Sequence, residues 1–228
     1  MNELVIIVEG PTEQFFVRNV LAGHLAIHGV AAWAVLPGKH RSQGGVRNWV
    51  GARRDVLSTI KEGRYCTTMF DYYGMPKSWP GRKSATGCQP MERATLVEQS
   101  MARDIANASG SSFNPTQFIP YVQLHEFEAL LFSNPTVLGE KTSALAEEPA
   151  PALTQQFQEV LDVAGAPEAI NDGRETCPSA RIIAAVPAYG KRRDGPIIAS
   201  AIGLPTIRDK CPHFNDWITR LESLMSRD

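Results

Sequence analysis

Unbroken apolar runs and helically spaced apolar residues take turns along this chain, which is the pattern of strands and helices in alternation. Residues 4–8 (L-V-I-I-V) are all aliphatic and mostly β-branched, as in a strand buried on both faces. Phe15, Phe16, Val20, Leu21 and Leu25 then recur at helical intervals and predict a helix over 14–26. Residues 31–36 predict a second strand, closing a β-α-β unit whose crossover is expected to be right-handed. A polar loop over 37–45, a helix over 46–62 and a third strand over 65–70 follow. Residues 72–90 are rich in Gly, Pro, Lys and Ser and predict a long loop over the sheet; loops that long inside a compact domain are usually functional or mobile. A helix over 91–108 and a fourth strand over 118–123 come next, and residues 126–132 open a helix just past that strand.

Beyond Asn134 the pattern loosens. Residues 141–151 read as a surface segment, 152–163 as a helix, 178–186 as a helix or a strand with the balance toward helix, and 189–194 as a short basic loop. A small helix over 195–202 and an amphipathic helix over 214–225 complete the chain, with no internal repeat and no low-complexity tract. The expected fold class is α/β: one domain with a central, mainly parallel, Rossmann-like sheet and helices on both faces. Residues 1–134 would hold the sheet, and 135–228 a mainly helical elaboration packed on it.

Composition narrows the function classes. The 228 residues are 43% hydrophobic and 21% charged, as in an ordinary globular protein. A formal net charge of −1 argues against a broadly basic nucleic-acid coat while leaving room for a local basic groove. The 4 cysteines (Cys66, Cys88, Cys177 and Cys211) include no C-x-x-C pair, so structural zinc bound by thiolates is not expected and a reducing compartment is. With no basic n-region and no apolar run of membrane-spanning length, the expected location is the cytoplasm, away from membranes. The chain carries neither G-x-S-x-G nor G-x-x-x-x-G-K-[ST], which removes a serine-hydrolase elbow and a P-loop from consideration.

Acids gather where predicted strands end. Glu9 closes the first apolar run, with Glu13 in the first turn of the next helix; Asp71 closes the third; Glu126 and Glu128 follow the fourth. In an open α/β sheet, ligands bind beyond the carboxyl ends of the strands. Carboxylates brought together there repel unless a cation neutralises them, and hard oxygen ligands favour Mg²⁺ or Mn²⁺. Such an ion suits phosphodiester cleavage or transfer. The plainer reading is that acids complement helix dipoles, and Glu13 or Glu128 could be only that.

Four ordered blocks carry a resemblance: V-E-G-P-T-E (8–13), T-M-F-D-Y-Y-G (68–74), F-I-P-Y-V-Q-L-H-E-F-E-A-L-L-F (118–132) and G-L-P-T-I-R-D-K-C-P-H-F (203–214). Through them the sequence resembles the Toprim-like family catalogued as domain of unknown function 4276, along nearly its whole length. The Toprim fold, shared with topoisomerases, primases and OLD-type nucleases, implies a glutamate after the first strand and acids after later strands that bind divalent metal. Carried over by position, Glu9 is similar to the Toprim glutamate, a metal ligand that also relays a proton. Asp71 resembles the first acid of a D-x-D motif, and Glu13 an acid that OLD-like relatives place one turn into the first helix. The sequence departs from the pattern at Tyr73, where the second Asp would stand, which puts a two-metal site in doubt unless Glu126 or Glu128 supplies the carboxylate.

The expected activity is metal-dependent cleavage of DNA or RNA, with Glu9, Asp71, Glu126 and Glu128 forming the metal site, Glu13 supporting it, and Glu9, Asp71 and Glu126 catalytic. OLD-type nucleases work with an ATPase, so the resemblance also implies a separately encoded ABC/AAA-type ATPase partner and a place in bacterial anti-phage defence. Tyr72, Tyr73, Trp79 and Arg82 form an aromatic and basic stretch that either stacks bases or packs beneath its own loop. His125 either ligates metal, protonates a leaving group or hydrogen-bonds at the core's edge. Lys191, Arg192, Arg193 and Arg181, like Lys39, His40 and Arg41, either neutralise substrate phosphates or are solvated surface. His213 reads as structural. Two alternatives remain: a catalytically silent Toprim module that binds a partner or senses a ligand, and a metal-dependent phosphatase or phosphotransferase.

Overall fold

In the computed structural model, which describes residues 1–37, 48–110, 113–170, 173 and 175–225, strand β1 (Asn2–Val8) lies at the centre of the sheet. Its five aliphatic residues, Leu4 to Val8, are buried, as an unbroken apolar run in a parallel sheet requires. β1 pairs in parallel with β2 (Val30–Val35) on one side and β3 (Tyr65–Asp71) on the other. The far edge of β3 pairs, again in parallel, with β4 (Phe118–Ile119) and β5 (Val122–Gln123).

The predicted strand over 118–123 is thus one lane with a gap, since Cys66 faces Phe118 and Phe70 faces Val122 at an unchanged offset. The gap sits at Pro120, which has no N–H to give the ladder. Thr68 fills it. Its hydroxyl donates to the Tyr121 carbonyl at 2.9 Å and accepts the Tyr121 N–H at 3.0 Å. The Thr67 hydroxyl likewise donates to the Ile119 carbonyl, and it accepts the Trp217 indole N–H at 2.9 Å. The Trp217 and Tyr121 rings stack at 4.2 Å.

Helix α1 (Pro11–Phe16) runs through a π-helical stretch, Val17–Leu21, into α2 (Ala22–Ile27), so the predicted helix over 14–26 begins earlier, at Pro11. α3 (Trp49–Lys61) and α4 (Pro90–Ser109) make the next crossovers. Right-handed crossovers put α1 and α2 on one face of a β2-β1-β3-β4 sheet and α3 and α4 on the other. Consistently, Asp104 on α4 accepts the Trp49 indole N–H at 2.8 Å and pairs with Arg53 at 2.7 Å, both on α3. The strand order therefore reverses between β1 and β3, the kind of point where α/β sheets bind ligands. The mixed α/β class with a mainly parallel sheet flanked by helices is as the sequence predicts. Most of the polar loop over 37–45, with Lys39, His40 and Arg41, lies outside the described residues.

The chain falls into two compact units, Met1–Gln123 with Trp217–Asp228, and Leu124–Asp216. The second is helical: a 3-10 helix (Phe127–Ser133), α5 (Pro135–Ala146), α6 (Ala150–Ala164), α7 (Pro178–Ala185), α8 (Lys191–Ile202), α9 (Leu204–Lys210) and the start of α10 (Pro212–Glu222). Three expectations are corrected here. The segment over 141–151 does stay largely at the surface, with Thr142 its one buried residue, but its first half is the end of α5, whose other buried residues are Pro135, Leu138 and Gly139. The basic loop over 189–194 is mostly the first turn of α8, where Asp194 accepts the Gly190 N–H at 2.7 Å. The helix over 126–132 is a 3-10 helix that starts after Glu126.

Candidate active site

Glu9 follows directly on β1 and continues the ladder, its N–H donating to the Met69 carbonyl at 3.2 Å. The chain then leaves the sheet at Gly10, and the Glu9 side chain supplies the next rung: its Oε2 accepts the Asp71 N–H at 3.0 Å. The two acids thus stand side by side, half-buried, at the carboxyl edge where the strand order reverses. Gly74 closes over them; a Cβ there would lie 2.6 Å from Glu9 Oε1. Glu13 also meets a backbone N–H. Buried on the first turn of α1, it reaches back to accept the Gly10 N–H at 2.9 Å, a helix-capping contact.

The stretch after Asp71 is anchored by its aromatic residues. Tyr72 is 3% exposed, and the Arg82 guanidinium sits 3.9 Å above its ring. Trp79 is buried, 5.2 Å from Trp49 and 5.3 Å edge-on to Phe70. Tyr73 is half-exposed, and its hydroxyl accepts from Arg93 at 2.7 Å. Tyr72 and Trp79 therefore pack beneath the loop, leaving Tyr73, Arg82 and Arg93 as its partly accessible polar surface.

In the second unit, Glu126 occupies the N-cap position of the 3-10 helix, preceded by His125, a buried residue with left-handed backbone (φ 65°). Glu126 accepts the Ser179 N–H at 3.0 Å from the first turn of α7, and the Lys191 ammonium at 3.0 Å. Lys191 also lies 3.7 Å from Glu128, a carboxylate that is 2% exposed and 3.5 Å from the Tyr189 hydroxyl. Burial opposes ionisation of Glu126, but Ser179 and the Lys191 charge outweigh it and hold its carboxyl below the usual range. For Glu128 burial wins: despite Lys191, and with the Glu126 charge adding to the effect, its carboxyl is held above that range. Burial and then the Glu128 charge push the Tyr189 phenol up as well. Arg192 is exposed, Arg193 pairs with Asp194 at 2.7 Å, and Arg181 donates to the Thr176 carbonyl at 3.3 Å. Next to His213 the buried Glu168 caps α10, accepting the His213 and Phe214 N–H groups at 3.0 and 2.9 Å.

A family model for a domain of unknown function (DUF4276) matches residues 8–222, a span that contains all four sequence blocks. The chain belongs to the DUF4276 family. Two solved structures of the C-terminal region of the Xanthomonas campestris pv. campestris OLD protein also resemble it. The platinum-phased one has 15% identity and a TM-score of 0.46, over 96% of this chain and 94% of that one. The iodine-phased one has 15% identity and a TM-score of 0.41, over 95% of each. These likenesses are too distant to transfer any residue's role. No curated protein matches the sequence.

The donor chemistry of this DUF4276 chain differs between its two acid groups. Glu9 and Asp71 are adjacent, half-buried hard oxygen donors, a set that fits Mg²⁺ or Mn²⁺, ions that keep several waters beside one or two carboxylates. Glu126 and Glu128 already share the Lys191 ammonium. Sequence reasoning passed over Gly74, Ser179, Tyr189 and Glu168. Gly74 alone left a trace, as the last letter of T-M-F-D-Y-Y-G.

Proposed function

We propose that the chain is a Toprim-type, divalent-metal-dependent nuclease that cleaves phosphodiester bonds in nucleic acid. The observation that carries this reading is the Glu9–Asp71 pair, locked through the Asp71 N–H at 3.0 Å on the carboxyl edge where the strand order reverses. Bound there, Mg²⁺ or Mn²⁺ would polarise a phosphoryl oxygen and lower the pKa of a water. Glu9 and Asp71 would hold the ion, with Glu9 accepting a proton from the attacking water. Glu13 supports them by fixing the turn at Gly10. Tyr73, two residues after Asp71, and Arg82, whose guanidinium covers the Tyr72 ring, would steady the substrate's phosphates, and Arg192 is proposed as a further substrate contact on its sequence and exposure alone. Catalytic and metal-holding roles for Glu126 and a metal-holding role for Glu128 are proposed on the sequence alone; in the structure both face Lys191. A separately encoded ABC/AAA-type ATPase and a task in anti-phage defence are proposed on the Toprim resemblance.

The test is cleavage of plasmid DNA, single-stranded DNA and tRNA with Mg²⁺ or Mn²⁺. Loss of general-base and metal-holding groups should cost roughly 100-fold or more in Glu9→Gln and Asp71→Asn. Cutting that survives both substitutions would refute the reading. One observation favours a second reading, a catalytically silent module: Lys191 neutralises the acids that would replace the missing second Asp. That reading predicts neither cutting nor Mg²⁺ binding by calorimetry.

A further inference from the structure

Away from the acidic edge, α2 carries His24, and His28 caps the helix's carboxyl end. Spacing of four residues puts both imidazoles on one face, their centroids 4.9 Å apart. Glu222, the last residue of α10, meets them there. Its Oε1 lies 2.6 Å from His24 Nε2 and 3.7 Å from His28 Nε2. One ligand atom from each of the three lies within 4.8 Å of the others. The residues after Glu222 are tied down too, because the Asn2 side chain at the start of β1 donates to the Leu224 carbonyl at 2.9 Å.

We propose that His24, His28 and Glu222 form a zinc site that fastens the end of α10 to α2. An ordinary ion pair needs one imidazole and one carboxylate, whereas here two imidazoles converge on a single carboxylate oxygen. Two nitrogens and one oxygen suit Zn²⁺, or Co²⁺ in its place, better than an ion that prefers an all-oxygen shell. Zinc bonds of about 2.0–2.1 Å in a tetrahedron set ligand atoms about 3.4 Å apart. The 3.7 Å separation is close to that, and the 2.6 Å one opens to it by rotating the Glu222 carboxylate. Side-chain exposures of 26%, 41% and 16% give the ion an entry path and leave its fourth position to water. The site is independent of the Glu9–Asp71 pair and does not rest on the nuclease reading.

The test titrates the full chain, stripped of metal with a chelator, with Zn²⁺ by calorimetry and with Co²⁺ by absorption, and follows thermal unfolding in parallel. The expected result is one equivalent of Zn²⁺ bound, a zinc-dependent rise in midpoint, and a tetrahedral Co²⁺ spectrum without a thiolate charge-transfer band. His24→Ala and His28→Ala should each weaken binding by roughly 10–100-fold. Because His24→Ala removes the shorter contact to Glu222, His28, at 3.7 Å and more exposed, is the cleaner variant. His28→Ala should melt like wild type in chelator yet lose the zinc-dependent rise. Glu9→Gln with Asp71→Asn should bind zinc normally. The proposal is overturned by no stoichiometric zinc binding, by binding that survives both histidine substitutions, or by a thiolate band in the Co²⁺ spectrum.

Discussion

Gly74→Ala separates the position of the Glu9 carboxylate from its presence. Gly74 is exposed and lies outside the left-handed region, so its backbone accepts alanine. Its new Cβ would stand 2.6 Å from Glu9 Oε1, 3.0 Å from Oε2 and 3.1 Å from Cδ. Relief to an ordinary contact needs a retreat of roughly 0.8 Å or more. The group that retreats is the end of a flexible side chain, so the sheet survives. The hydrogen bond from the Asp71 N–H at 3.0 Å does not. A hydrogen bond to a charged group is worth about 1.5–3 kcal/mol, and half-exposure of Glu9 sets the lower figure, which water partly replaces. For a chain of this size about 1.5 kcal/mol lowers the melting midpoint by roughly 3–6 °C. The functional loss should be far larger: displacing a reacting group by about 1 Å costs roughly 100-fold. The assay pairs Mn²⁺ calorimetry and plasmid cleavage with thermal unfolding. A Gly74→Ala protein that folds and binds metal and cuts like wild type would remove Glu9 from the site.

Three further outcomes follow from the packing. Thr68→Val strips the fully buried Tyr121 N–H and carbonyl of their shared hydroxyl, and should cost about 2–4 kcal/mol by chemical denaturation; a loss under 1 kcal/mol would mean the gap at Pro120 is bridged otherwise. Gly139→Ala drives a Cβ to 2.5 Å from Thr154 Oγ1 and 2.8 Å from the Thr154 backbone N, so α5 and α6 must part at a cost of about 1–3 kcal/mol, and unchanged melting would contradict that close approach. Glu128→Gln tests the buried acid by pH. Burial raises the folded carboxyl above its unfolded value of about 4.3, so wild type loses stability as pH rises from there through the raised folded value. The glutamine variant, which cannot ionise, should melt higher than wild type at pH 7 and lose that advantage near pH 4; equal midpoints at pH 7 would refute the assignment.

What the sequence disclosed and what it hid divide along a physical line. L-V-I-I-V followed by Glu9, and the strand ending on Asp71, are local patterns, and parallel pairing puts their ends on one edge without further information. Pro120 announced the break between β4 and β5, yet an apolar run over 118–123 masked it; only the Thr68 hydroxyl, from another strand, lets the lane continue. α5 was hidden because its buried face mixes Leu138 with Pro135, Gly139 and Thr142, so large apolar residues do not recur along it at helical spacing.

The same division explains why an acid at a strand or helix end says so little by itself. Its meaning depends on what compensates its charge, and the compensating group is seldom nearby in sequence. Glu13 meets the N–H of Gly10, three residues before it, a contact that its place in the first helical turn allows. Glu126 meets Lys191, 65 residues on, and His24 meets Glu222, 198 residues on. Glu9 meets the Asp71 N–H, 62 residues on, while Lys191 brings a full positive charge to Glu126 and Glu128. Because Lys191 already answers Glu126 and Glu128, Glu126→Gln should change Mg²⁺ affinity little by calorimetry, and a loss as large as that of Asp71→Asn would place Glu126 among the ligands.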